Sequence, residues 1–130
     1  SPDGRYISAV TRQYGLAVAD NLVIRPIDAS GPTRLLTDYR FEFDVGFHLW
    51  AGPTTLLFQR LRGRDEPRYL PTVSGLFAVD IESGDMRPID LPSGYRLAHV
   101  PARRNGSVLL WLYARGRPFP SAAWLDAERG

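Results

Sequence analysis

The chain has 130 residues, 44% of them apolar, with 12 glycines, 11 prolines and no cysteine. That length can close one domain around a sizeable core, and that apolar content is too high for general disorder. Without cysteine there is no disulfide, no thiolate metal site and no cysteine nucleophile. The Gly and Pro content suits many turns and argues against long helices.

All 16 basic residues are Arg, set against 14 acidic residues, for a net charge of +2. They are scattered among the Asp and Glu rather than gathered in a stripe, so no nucleic-acid partner is expected. No apolar run approaches the roughly 18 residues of a membrane-spanning helix, so no membrane partner is expected either. No secretory leader pattern opens the chain. The only Met is Met86, so Ser1 is not a translation start, and the chain reads as a processed product or a piece of something longer.

Ser1-Pro2-Asp3-Gly4 has the chemistry of a tight turn, and Tyr6 to Val10 reads as the strand that leaves it. Thr11 to Asp20 reads as a longer connection, with a possible strand extension at Leu16-Ala17-Val18. Leu22 to Ile27 and Arg34 to Thr37 form a hairpin around Asp28. Phe41 to Val45 alternates apolar and acidic, which predicts a strand with Glu42 and Asp44 on one face. Phe47 to Trp50 enters a second turn, Ala51-Gly52-Pro53-Thr54, and Thr55 to Leu61 leaves it. A polar insertion, 62-74, follows and reads as a surface loop. Leu76 to Ile81 and Met86 to Leu91 form a second hairpin around Glu82-Ser83-Gly84-Asp85, with Asp80 just before the turn. Arg96 to Val100, the turn at Asn105-Gly106 and Ser107 to Tyr113 form the next pair of strands. Ala123 to Gly130 repeats the first half of the Asp80 hairpin.

These elements recur. Turns of one kind start at Ser1, Ala51 and Arg103, at spacings of 50 and 52, and turns of the other kind follow Asp28, Asp80 and Asp126, at spacings of 52 and 46. About four short strands fit in each period, which is the pattern of β-propeller blades. Val108 to Tyr113 is apolar on both faces, as a sheet packed between two neighbours would be. The sequence therefore predicts an all-β fold, a partial β-propeller of about two and a half four-stranded antiparallel blades. It reads as a single propeller fragment: 1-40 a partial blade, 41-93 a full blade and 94-130 a partial blade.

Several segments resemble those of known propellers. Ser1-Pro2-Asp3-Gly4-Arg5-Tyr6-Ile7 is similar to the SPDG-plus-strand signature of Tol-type and peptidase propellers. Leu76 to Gly84 resembles their LYAVDLETG segment. Phe47-His48-Leu49-Trp50 with Leu56-Leu57-Phe58 resembles their WVNDDRLLF pattern. Phe119-Pro120 and Trp124-Leu125-Asp126 resemble a blade of the prolyl oligopeptidase family. The resemblance implies the N-terminal β-propeller domain of a prolyl oligopeptidase-family serine peptidase. Such a domain gates peptide substrates toward a separate α/β-hydrolase domain, the implied partner. The alternative is a Tol-type propeller serving as a protein-interaction scaffold. No nucleophile elbow G-x-S-x-G is present, so no catalytic residue is assigned, and no cofactor or metal is expected.

Within this reading, the adjacent acids Asp65 and Glu66 are the candidate substrate-binding residues. Such a pair can hold a peptide's amino terminus by charge-assisted hydrogen bonds. Arg62, Arg64 and Arg68 flank them. Glu42 and Asp44 form a second pair of carboxylates, expected on a solvent face. Arg60, Arg62 and Arg64 alternate and read as charges protecting a strand edge. His48 and His99 read as packed or structurally bonded strand residues. Trp50, Trp111 and Trp124 read as core between sheets.

Overall fold

The computed structural model describes residues 1–13, 19–40, 42–62, 72–91, 95–104, 107–114 and 116–126, with the backbone alone at 13, 72–74, 95–104, 113 and 114. Within them run ten strands: β1 (Tyr6–Gln13), β2 (Ala19–Pro26), β3 (Arg34–Leu35), β4 (Phe43–Trp50), β5 (Thr55–Arg62), β6 (Thr72–Asp80), β7 (Met86–Ile89), β8 (Tyr95–Arg104), β9 (Ser107–Ala114) and β10 (Ser121–Asp126). They form three antiparallel sheets in chain order: β1-β2-β3, β4-β5-β6-β7 and β8-β9-β10.

Local chemistry explains the turns. Gly4 takes a positive φ of 75° and donates its N–H to the Ser1 carbonyl at 3.1 Å, closing the turn that aims β1. Asp80 Oδ1 accepts the N–H groups of Glu82 and Ser83, both at 2.9 Å, and Gly84 supplies the positive φ that turns the chain back into β7. Asp28 does the same work between β2 and β3, its Oδ1 accepting Ser30 N–H at 2.9 Å. The two Asp turns predicted as equivalent share the bond to the N–H two residues on, but the positive φ falls on Ala29 in the first and on Gly84 in the second.

The sheets stack through two apolar seams. Leu22 and Ile24 of the first sheet meet Val45, Trp50, Leu56, Phe58, Val79 and Ile81 of the second. On its other side the second sheet offers Leu57, Leu76, Ala78 and Ile89 to Val108, Leu110 and Leu112 of the third. Strand alternation lets β5 and β6 serve both seams at once. Leu56, Leu57 and Phe58 are consecutive, and each is fully buried. A Leu or Phe removed from such a site costs roughly 2–5 kcal/mol.

The expected pairings hold. Arg96, Leu97 and His99 of β8 pair with β9, β9 pairs with β10, and Thr55–Arg62 pairs with β6 from Asp80 back to Thr72. Phe41 to Val45 and Phe47 to Trp50, read as separate pieces, are one strand from Phe43 with a register shift between Val45 and His48. Gly46 sits at that shift, where an added Cβ would lie 3.0 Å from Gln59 Oε1 and 3.2 Å from Leu61 Cγ. β1 also runs on to Gln13, three residues past the predicted end. The predicted extension at Leu16-Ala17-Val18 lies outside the described residues.

The propeller is corrected. The all-β class stands, but the sheets hold three, four and three strands, and none closes or curls into a propeller arrangement. The physical reason is that hairpin spacing reports the order of strands within each sheet. It carries no information on how successive sheets rotate about an axis, which is what makes blades. The reading of β9 is corrected too. It does not lie between two sheets, because Trp111 is exposed on its far side while Val108, Leu110 and Leu112 are buried.

Candidate functional site

Three places on the described surface concentrate polar or aromatic chemistry. The first is an open cleft of about 430 Å³ lined by Thr54, Thr55, Ala78, Asp80, Ser83, Asp85, Met86 and Arg87. Its central carboxylate is already committed to the turn. The Ser83 N–H, then the N–H of Glu82 and the Thr54 hydroxyl, hold Asp80 below the ordinary carboxylate range. Ser83 Oγ in turn accepts Asp85 N–H at 3.1 Å. The cleft is thus a by-product of turn construction.

The second place lies beside the first seam. Arg60 of β5 lies between two rings, its guanidinium carbon 4.3 Å from the centre of Phe43 and 4.6 Å from that of Phe77. Phe77 stacks on Phe58 at 5.6 Å, and Tyr39 tilts against Phe43 at 5.7 Å. Burial raises the Tyr39 hydroxyl above its usual pKa, with Arg60 opposing. This cluster holds the arginine against aromatic faces. It corrects the edge reading of Arg60 and Arg62, because β5 lies between β4 and β6. Arg62 pairs instead with Glu42 at 2.7 Å.

The third place is the outer face of the third sheet. Alternation along β9 sends Val108, Leu110 and Leu112 inward, so Leu109 and Trp111 point out. Along β10, Ala123 and Leu125 pack inward and Ala122 and Trp124 point out. The register sets Trp124 opposite Leu109 and Ala122 opposite Trp111. The two indoles are therefore diagonal neighbours, with backbones roughly 7–8 Å apart. Trp111 is 43% exposed and Trp124 59%. Trp50 alone fits the core reading, at 8% exposure. Sequence reasoning missed this surface because both faces of β9 are equally apolar.

The remaining candidates fall as follows. Asp65 and Glu66 lie outside the described residues, as does Arg64. Asp44 is buried, not on a solvent face, and Glu42 is exposed, so the two do not act as one carboxylate pair. His48 is half-buried in β4; burial lowers its pKa and a hydrogen bond with the Ser8 backbone opposes. His99 lies in β8 with Trp111 as its register partner. Among the described residues no group of three or more His, Asp or Glu could hold a metal ion. Among them, too, no helix is long and apolar enough to cross a membrane.

Fold and surface together define an all-β chain of three stacked antiparallel sheets with an aromatic outer face. Comparison with family models, curated proteins and solved structures finds no match to it. The prolyl oligopeptidase resemblance is corrected accordingly. Its motifs are strand-and-turn strings that recur wherever short antiparallel strands follow one another, and the sheet arrangement does not support the family. The gating of a hydrolase domain and the Tol-type propeller fall with it.

Proposed function

We propose that the chain is a protein-interaction module that works through the outer face of its third sheet. The observation that carries this is the pair Trp111 and Trp124, exposed side by side on a sheet whose other face is core. Tryptophan is the side chain most enriched where protein partners bind, because it buries a large rigid area at small entropic cost. The described neighbours, Leu109 and Ala122, extend an apolar centre. Ser107 and Asp126, a register pair one row beyond Leu109 and Trp124, supply a polar rim. A sugar platform would need hydrogen-bonding side chains between the indoles, where Leu109 and Ala122 stand instead.

A photocrosslinking amino acid tests this. Placed at position 124 of the full chain in its source cells, it should give a discrete protein adduct. Placed at Met86, exposed at the mouth of the polar cleft, it should give none. Adducts from position 86 and not from 124 would overturn the reading.

A further inference from the structure

The strand pairs β1-β2, β5-β6 and β9-β10, one in each sheet, share a common register, and that fixes which face of each sheet looks which way. Tyr6 opposes Pro26 in the first sheet, Leu57 opposes Ala78 in the second and Leu109 opposes Trp124 in the third. Each of these pairs stands two residues before Asp28, Asp80 or Asp126. Tyr6 packs forward into the first seam, and Leu57 and Ala78 pack forward into the second. Leu109 and Trp124 occupy the same slot and point forward from the third sheet.

The next pairs along the strands are Ile7 with Arg25, Phe58 with Phe77 and Leu110 with Ala123. Phe58 and Phe77 pack backward against the first sheet, and Leu110 and Ala123 backward against the second. Ile7 and Arg25 therefore point backward from the first sheet, away from both seams. Twice within the molecule a forward face meets a backward face. One backward face, on the first sheet, and one forward face, on the third, remain outside the two seams.

The exposed apolar side chains follow this division. On the backward face Ile7 is 58% exposed, Ile27 59% and Leu35 46%. With Trp111 and Trp124 they make five of the nine large apolar side chains exposed among the described residues. The two faces also complement each other. The forward one is bulky, with two indoles, and ends on Asp126; the backward one has the small Ala9 beside Val23 and carries the exposed Arg25.

We propose that the partner of the tryptophan face is a second copy of this chain, whose first sheet docks by its Ile7–Arg25 face. This rests on the interaction reading of that surface and names its occupant. The contact is heterologous, so each copy keeps one free face of each kind, and the rotation per step decides between ring and filament.

Paired variants measured by sedimentation velocity test it. Trp124→Arg spoils the forward face and Ile7→Arg the backward one; Trp111→Glu and Ile27→Arg repeat each at a second position. The wild-type chain should associate with rising concentration. Each variant alone should stay monomeric, its association weakened about tenfold or more. An equal mixture of Trp124→Arg and Ile7→Arg chains should form a dimer and nothing larger, because one intact face of each kind remains. That restored dimer also shows that both variants fold. If Ile7→Arg alone still associates, the tryptophan faces meet each other and the head-to-tail contact is wrong. If the mixture stays monomeric while each variant keeps the wild-type circular dichroism and melting, the proposal is overturned. A wild-type chain that stays monomeric at hundreds of micromolar overturns it too. In that case a position-124 adduct with another protein leaves the interaction reading standing, and the lack of any adduct removes both.

Discussion

Asp44, near the start of β4, accepts the backbone N–H of Asp20, in β2, at 2.7 Å. The bond crosses from the second sheet to the first, and Asp44 is only 6% exposed. Asp20 is itself held by Arg12 of β1 at 2.9 Å. Beside it in β2 lies a buried polar knot: Asn21 Oδ1 accepts from the Thr37 hydroxyl at 2.9 Å and from Tyr39 N–H at 2.7 Å. Hydrogen bonds thus fix where the segment after β3 lies along β2, and Asp44 ties the next sheet to the same strand.

Asp44→Ala removes the carboxylate acceptor of the part-buried Asp20 N–H. It should lower unfolding free energy by about 2–3 kcal/mol, read from urea melts. Asp44→Asn keeps an acceptor oxygen in place and should lose less. Equal losses for the two would mean that the negative charge, not the acceptor oxygen or the size that Asn keeps, makes the contribution.

Arg60 should matter through its planar group. Arg60→Lys keeps the charge but loses the flat stack between Phe43 and Phe77, and should cost about 1 kcal/mol. Arg60→Ala adds the lost packing of the stem and should cost about 2 kcal/mol. A lysine variant as stable as wild type would show that charge, not stacking, is what the site uses.

The Asp80 turn predicts a pH dependence. Its backbone donors, Ser83 first, lower the folded-state pKa of Asp80 below the unfolded value of about 3.9. As pH falls between those two values the unfolded chain takes up a proton that the folded chain does not, so unfolding gains. The stabilisation is complete above the unfolded pKa and is lost as pH falls through the folded one. Asp80→Ala should therefore be about 1 kcal/mol less stable than wild type at pH 7. That gap should narrow at pH 3 and below. A gap that widened on acidification would contradict the assignment.

Much of the fold is legible in the sequence because it is written locally. Asp28 and Asp80 stand at equivalent turns, and their side chains make equivalent bonds to the backbone ahead. The pairings of β5 with β6 and of β9 with β8 and β10 follow from the same punctuation. What stays hidden depends on partners far along the chain. Nothing in the alternation of Phe41 to Val45 marks Asp44 for burial, since its partner is a backbone N–H 24 residues away. Nothing in Val108 to Tyr113 says which face is core. Leu110 and Trp111 are equally apolar letters, and only the position of the second sheet separates them. The propeller expectation went wrong for the same reason, being a claim about sheet-to-sheet rotation built on hairpin spacing.

Hydroxyl-radical footprinting shows whether the two outer sheet faces are the surfaces through which the chain associates. The full chain is labelled at low concentration and again at a concentration where it associates, and oxidation is read at each side chain. Trp111 and Trp124 should be protected on association, together with Ile7, Ile27 and Leu35. Met86, 40% exposed in β7 of the second sheet, and Phe119, 78% exposed in the loop before β10, should label equally in the two samples. Protection at Met86 or Phe119 with Trp124 unchanged would show that association uses a different surface.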